Sequence, residues 1–111
     1  MATINFNEEL FNELKSDKNK ALLVEFYAPW CGYCRRIAPA FDKIAEEYEQ
    51  ILIAGKLNID DYERLSDDEN IDIIPTLVLY KDGAVIDTIV NPSSKDAINK
   101  FIEKNLDVIN G

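Results

Sequence analysis

Apolar residues follow two rhythms along this chain, and the switch between them marks the elements. Ala21-Leu22-Leu23-Val24-Glu25-Phe26-Tyr27-Ala28 is apolar with almost no alternation, the pattern of a strand covered on both faces. Ile51 to Asn58 reads as a second strand. Leu77-Val78-Leu79-Tyr80 and Val85 to Val90 give two more, joined by a hairpin turn at Lys81-Asp82-Gly83-Ala84. Thr3-Ile4-Asn5 predicts a short edge strand. The remaining apolar residues recur at helical spacing. Leu10, Phe11 and Leu14 share one face of a helix capped by Asn7 and running through Leu14. Ile37, Phe41, Ile44, Ala45 and Tyr48 give a long amphipathic helix to about Gln50. A short helix is expected around Tyr62 and Leu65. Ile98, Phe101, Ile102 and Leu106 form the packing face of a last helix, with Ser93 as its cap and Asp96 completing a capping box. Ser16 to Lys20 is a polar turn, and Asn91 to Ser94 a loop.

Three residues stand out from this pattern. Pro39 lies inside the long helix and offers no N–H to the Arg35 carbonyl, so a kink is expected there. Pro75 precedes a strand, which is a start signal; about one X–Pro bond in twenty is cis, and the sequence does not decide this one. Glu25 interrupts the most apolar strand. A carboxylate is costly to bury while charged, so Glu25 is expected to be paired or raised in pKa. Lys56 is its partner if the two strands are neighbours; the alternative is an acid at the sheet edge that reaches water.

Composition narrows the class. With 111 residues, 47% hydrophobic and 30% charged, the chain fits one domain, residues 1–111, able to bury a core without disulfide staples. No repeat or low-complexity segment suggests a linker. The opening Met1-Ala2-Thr3-Ile4-Asn5-Phe6-Asn7-Glu8 lacks the basic start and apolar core of a secretory signal. No apolar run approaches the roughly 20 residues that cross a membrane. A cytoplasmic protein is expected, unless a leader preceded this sequence. The net charge of −9 would repel nucleic acid, which sets that partner aside. The acidic positions, thickest at Asp60-Asp61 and Asp67-Asp68-Glu69, read as a solvated face more readily than as a site for a basic partner.

The candidate chemistry lies where the strand rhythm gives way to the helical one. Both cysteines are there, Cys31 and Cys34, two positions apart. A sulfur on the first turn of a helix faces unpaired N–H groups and the positive end of the helix dipole, which favour thiolate over thiol. Cys31 would then attack a disulfide, and Cys34, a turn further on and more buried, would resolve the product. Gly32 leaves room for a substrate and Trp30 offers an apolar wall. Glu25 leads directly into this turn and would exchange a proton with Cys34 as general base and acid. A structural zinc site needs about four ligands, whereas this chain has two cysteines and no histidine. No metal is therefore expected, and only a site shared between two chains would survive that count. Covalent haem attachment needs histidine where Arg35 stands.

The run Leu23-Val24-Glu25-Phe26-Tyr27-Ala28-Pro29-Trp30-Cys31-Gly32-Tyr33-Cys34, followed by Ile37-Ala38-Pro39, Lys56-Leu57-Asn58-Ile59-Asp60, Ile74-Pro75-Thr76 and Lys81-Asp82-Gly83, resembles the thioredoxin family in order and spacing. The resemblance covers essentially the whole chain. It implies an α/β thioredoxin fold, a central five-stranded mixed sheet flanked by four helices, in a monomer that reduces disulfides in protein substrates. It makes Cys31 the nucleophile and Cys34 the resolving thiol, matches Glu25 and Lys56 to the family's buried acid and lysine, and makes Ile74-Pro75 a cis-proline turn facing the cysteines. Substrate contacts are implied at Trp30, Gly32, Tyr33, Ile74, Pro75 and Asn91. No bound cofactor is implied; electrons would come from a thioredoxin reductase driven by NADPH.

Several positions depart from the family pattern. Tyr33 stands where thioredoxins usually carry proline, Glu25 where aspartate is usual, and Ile73 and Asn91-Pro92 where glycines are common. The flank Val24 to Gly32 is also similar to a protein disulfide isomerase domain. Two alternatives therefore stay open: a disulfide oxidase or isomerase of higher potential, and a binding module in which the thiols are incidental.

Overall fold

The computed structural model describes residues 3–111. Met1 and Ala2, the start of the stretch read above as lacking a signal, lie outside the described residues. The elements run β1 (Ile4–Asn5), α1 (Glu8–Lys15), β2 (Ala21–Tyr27), α2 (Gly32–Glu47), β3 (Leu52–Asn58), α3 (Glu63–Asp68), β4 (Thr76–Lys81), β5 (Ala84–Val90), α4 (Lys95–Glu103) and α5 (Leu106–Asn110). The strands form one mixed sheet in the order β1-β3-β2-β4-β5. β1, β3 and β2 are parallel, β4 runs antiparallel to β2, and β5 antiparallel to β4.

Period-two alternation on β2 explains the layers. Ala21 and Leu23 point to one face, where Ile37, Phe41 and Ile44 of α2 and Ile98, Phe101 and Ile102 of α4 cover them. Leu22, Val24 and Phe26 point to the other, under Phe11 of α1 and Leu65 of α3. Phe11 meets Phe26 and Tyr80 edge to face at 6.2 and 5.4 Å, the geometry that aromatic quadrupoles favour. The hairpin turn forms as expected: Asp82 and Gly83 adopt φ of 52° and 81°, the left-handed pair of a type I′ turn.

Gly55 carries the close approach between β3 and the N-terminal segment. A Cβ there would overlap the Phe6 ring and crowd the Ile4 carbonyl. Gly55→Ala is expected to lower stability by about 1–3 kcal/mol, the range for overpacking a filled core. Thermal melting checks it; an unchanged midpoint would mean that Phe6 swings aside freely.

Three helix boundaries differ from the sequence pattern. α2 runs on through Pro39 but stops at Glu47, short of Gln50, because the Ile51 and Leu52 N–H groups both turn back onto the Tyr48 carbonyl at 3.0 Å. The cap of α4 is Ser94, whose hydroxyl accepts the Ala97 N–H at 3.1 Å, not Ser93. The Ser93–Asp96 capping box does not form, and Asp96 pairs with Lys100 at 3.0 Å instead. The last helical stretch is also two helices, which makes five among the described residues instead of the four expected. The Asn105 amide at the break donates to the Phe101 carbonyl and the Asp87 carboxylate, so the turn is held by a side chain that binds β5. No helix among the described residues is long and apolar enough to cross a membrane.

Candidate active site

The end of β2 and the start of α2 bring the two cysteines to the C-terminal edge of the parallel strands, where open α/β sheets place their ligands. Cys31 is the N-cap of α2 in extended conformation, and its sulfur accepts the Cys34 N–H at 3.1 Å. The two are bonded as a disulfide, with Cα atoms 5.2 Å apart. Cys34 is 3% exposed and Cys31 6%, so both sulfurs are close to closed off and Cys34 is the more enclosed. Once the bond opens, the helix N-terminus favours negative charge on Cys31. Gly32 begins the helix with open space above it.

The second wall is the start of β4. The Ile74–Pro75 peptide is cis, and Thr76 stands opposite Phe26 in the antiparallel register, so this turn abuts the end of β2. The Ile74 carbonyl oxygen lies 3.9 Å from Cys31 Sγ. Among the described residues, neither the N–H nor the C=O of Ile74 makes a backbone hydrogen bond within the chain. An extended peptide laid across the disulfide could therefore add strand-like bonds at Ile74. Asn91 closes this side: it sits at φ 46°, is exposed, and donates its N–H to the Pro75 carbonyl at 2.8 Å.

Around the nearly buried sulfurs the rim is apolar and open. Trp30, Tyr33 and Ile73 are 67%, 57% and 56% exposed. The Trp30 indole N–H donates to Asp60 at 2.8 Å, which fixes the ring against the loop after β3. Asp60 is therefore not simply part of a solvated acidic face, as its sequence context suggests. The Arg36 guanidinium lies over the Tyr33 ring, 5.0 Å from its centre, and Arg35 donates to the Pro29 carbonyl at 2.9 Å. Sequence reasoning missed the parts of Asp60 and Arg36 here, whereas Ile73 was already singled out as standing where a glycine is common. Arg36, three residues after Tyr33 on a helix, was legible from spacing; the Trp30–Asp60 bond spans 30 residues and carried no local signal.

Glu25 lies beneath α2. It alternates with Leu23 on β2 and stands opposite Leu77 on β4, both of them in the core under that helix. It is fully buried, and neither carboxylate oxygen has a hydrogen-bond partner. Burial pushes its pKa up to about 7; Lys56 opposes that rise and Asp42 adds to it. The expected ion pair with Lys56 needs correction. The two residues are register neighbours on β2 and β3, yet the Lys56 ammonium sits over the Tyr27 ring, 4.5 Å from its centre, and makes no ion pair with Glu25.

These elements together hold a dithiol/disulfide couple, a buried acid whose pKa is raised to about 7, an apolar rim and a bare stretch of backbone. No group of three or more metal-ligating side chains is disposed to hold a metal ion among the described residues.

Residues 2–104 match the protein-family model described as Thioredoxin. The chain is 34% identical over 105 residues to Thioredoxin 1 of Nostoc sp., covering 95% of this chain and 98% of that protein. It is 37% identical over 99 residues to the thioredoxin of Pyropia yezoensis, covering 89% and 88%. With the chloroplastic M-type thioredoxin of Chlamydomonas reinhardtii the identity is 38% over 100 residues, covering 90% and 71%.

Proposed function

This chain belongs to the thioredoxin family and is a thiol–disulfide oxidoreductase that reduces protein disulfides, and on that premise we propose that Cys31 attacks and Cys34 resolves. The observation that carries this division is Cys31 Sγ at the N-cap of α2, taking the Cys34 N–H. In the reduced protein the Cys31 thiolate attacks one sulfur of a substrate disulfide, and the other sulfur leaves as a thiolate. Cys34 then gives its proton to the Glu25 carboxylate and attacks Cys31 Sγ, which expels the second substrate sulfur. The substrate gains two electrons, its two thiolates take their protons from solvent, the Cys34 proton stays on Glu25, and the Cys31–Cys34 disulfide remains. Reduction returns both thiols, and the proton goes back through Glu25. Lys56 sets the electrostatic setting of that acid.

Trp30, Gly32, Tyr33, Ile74, Pro75 and Asn91 form the substrate surface in this reading. An extended segment pairs with the Ile74 backbone while its apolar side chains lie on Trp30 and Tyr33. The chain acts as a single domain and a monomer in the cytoplasm, and a thioredoxin reductase using NADPH restores the dithiol. A full-length likeness to single thioredoxins supports the one-domain reading.

Tyr33 between the cysteines favours a second reading, a couple of higher potential that forms or rearranges disulfides. Equilibration against glutathione or a reference dithiol separates the two, since about 30 mV is a tenfold change in equilibrium constant. A potential near the roughly −270 mV of thioredoxin is expected. A value in the range of roughly −180 to −120 mV would reverse the proposed direction of flow.

A further inference from the structure

Glu25 and Lys56 face each other across neighbouring strands with opposite charges, and they do not pair. Tyr27 follows Glu25 by two residues on β2, so its side chain leaves the same face of the sheet. From its position on β3 the Lys56 stem has two directions open to it. Inward, its ammonium would meet the Glu25 carboxylate and give up its water. Outward, it lies on the Tyr27 ring and keeps its head in a hollow of about 270 Å3 that Tyr27 and Lys56 share with Asn58 and Asp61. The structure takes the outward course.

We infer that Tyr27 is a positioning residue: its ring holds the Lys56 ammonium at the mouth of this hollow and so keeps the buried Glu25 carboxylate without a counter-ion. The attraction is that of a cation for the negative face of an aromatic ring. The titratable groups near Glu25 come from its own strand, where Tyr27 is two residues on, and from two of the elements packed against it. Lys56 on β3 is the cation, Asp42 on α2 is a like charge that accepts from the Thr3 hydroxyl, and β4 contributes only the apolar Leu77. Asp61 lies further out, beside Tyr27. With the ring gone, no hydrogen bond or ion pair among the described residues restrains the ammonium from turning inward. The inference rests on the role proposed for Glu25, because an acid held in an ion pair would give up its proton too readily to exchange it near neutral pH.

The test is the titration of the Glu25 carboxyl, followed by carbon-13 NMR in the full-length oxidised protein. Tyr27→Leu should lower the midpoint by about one unit or more, the effect of an opposite charge brought within contact range. Tyr27→Phe keeps the ring and should leave the midpoint where it is in the parent protein. In a Lys56→Met background Tyr27→Leu should shift nothing. A folded Tyr27→Leu protein with an unmoved midpoint, or one whose shift persists without Lys56, overturns the inference. Tyr27→Met, whose unbranched side chain adapts to an irregular space, serves if the leucine variant does not fold. The pH profile of Cys34-dependent release from a mixed disulfide is measured alongside. If the midpoint moves and that profile does not, Tyr27 keeps its positioning role and Glu25 loses its place in the exchange.

Discussion

Cys31→Ser is expected to reduce turnover of a protein disulfide to the rate of the thiol donor alone, while Cys34→Ser should complete one attack and stop. The two sulfurs differ in setting: Cys31 caps the helix and Cys34 lies behind it, more enclosed. With Cys34 replaced, the mixed disulfide on Cys31 has no internal thiol to open it and accumulates at one adduct per chain. Non-reducing denaturing gels, with mass spectrometry to locate the bond, read both outcomes. Turnover by Cys34→Ser at the parent rate would sink the two-step cycle, and adducts on Cys34 in Cys31→Ser at a comparable rate would reverse the assignment.

The second large effect is on stability. Glu25 has its pKa raised to about 7 in the folded protein, against 4.5 for an unperturbed glutamate. A raised acid contributes stability that is fully present below the unfolded value and is lost as the pH climbs through the folded one. Between about pH 4.5 and pH 7 the native state must therefore lose stability relative to a protein without this carboxylate. The span corresponds to about 3 kcal/mol at 1.36 kcal/mol per unit. Glu25→Gln should gain about that much on the parent protein between pH 4 and pH 9 in urea unfolding of the oxidised form. The comparison across pH is the readout, because glutamine brings an unsatisfied amide of its own at every pH. A difference independent of pH would mean that Glu25 titrates in the fold as it does in the unfolded chain, so that burial does not raise its pKa. The same variant should slow the Cys34 step, so the acid trades stability for proton exchange.

Much of the fold was legible because burial leaves a period in the sequence. The run from Ala21 to Tyr27 announces a strand covered on both faces, and Leu10, Phe11 and Leu14 announce α1. The Asp82-Gly83 turn is equally local, since it depends on two residues that tolerate positive φ. The redox pair was legible for the same reason: spacing two cysteines at the start of a helix is a local act. Helix ends were less so. The break at Asn105 depends on Asp87, 18 residues earlier, and the arrest of α2 depends on where Ile51 and Leu52 must go to enter β3.

The sequence by itself determined which residues are apolar, where the rhythm changes, and that two thiols and a carboxylate meet that change. Tertiary structure decided which way the polar side chains turn and what faces the thiols. It set Lys56 on Tyr27 and not on Glu25, bound Trp30 to Asp60, and carried a cis Ile74–Pro75 peptide to within reach of Cys31. The physical reason is range. Apolar burial is non-directional and averages over a helix turn or a strand, so it is written in the local pattern. A hydrogen bond or a cation on a ring is directional and short, so its outcome depends on partners that only the folded chain brings together.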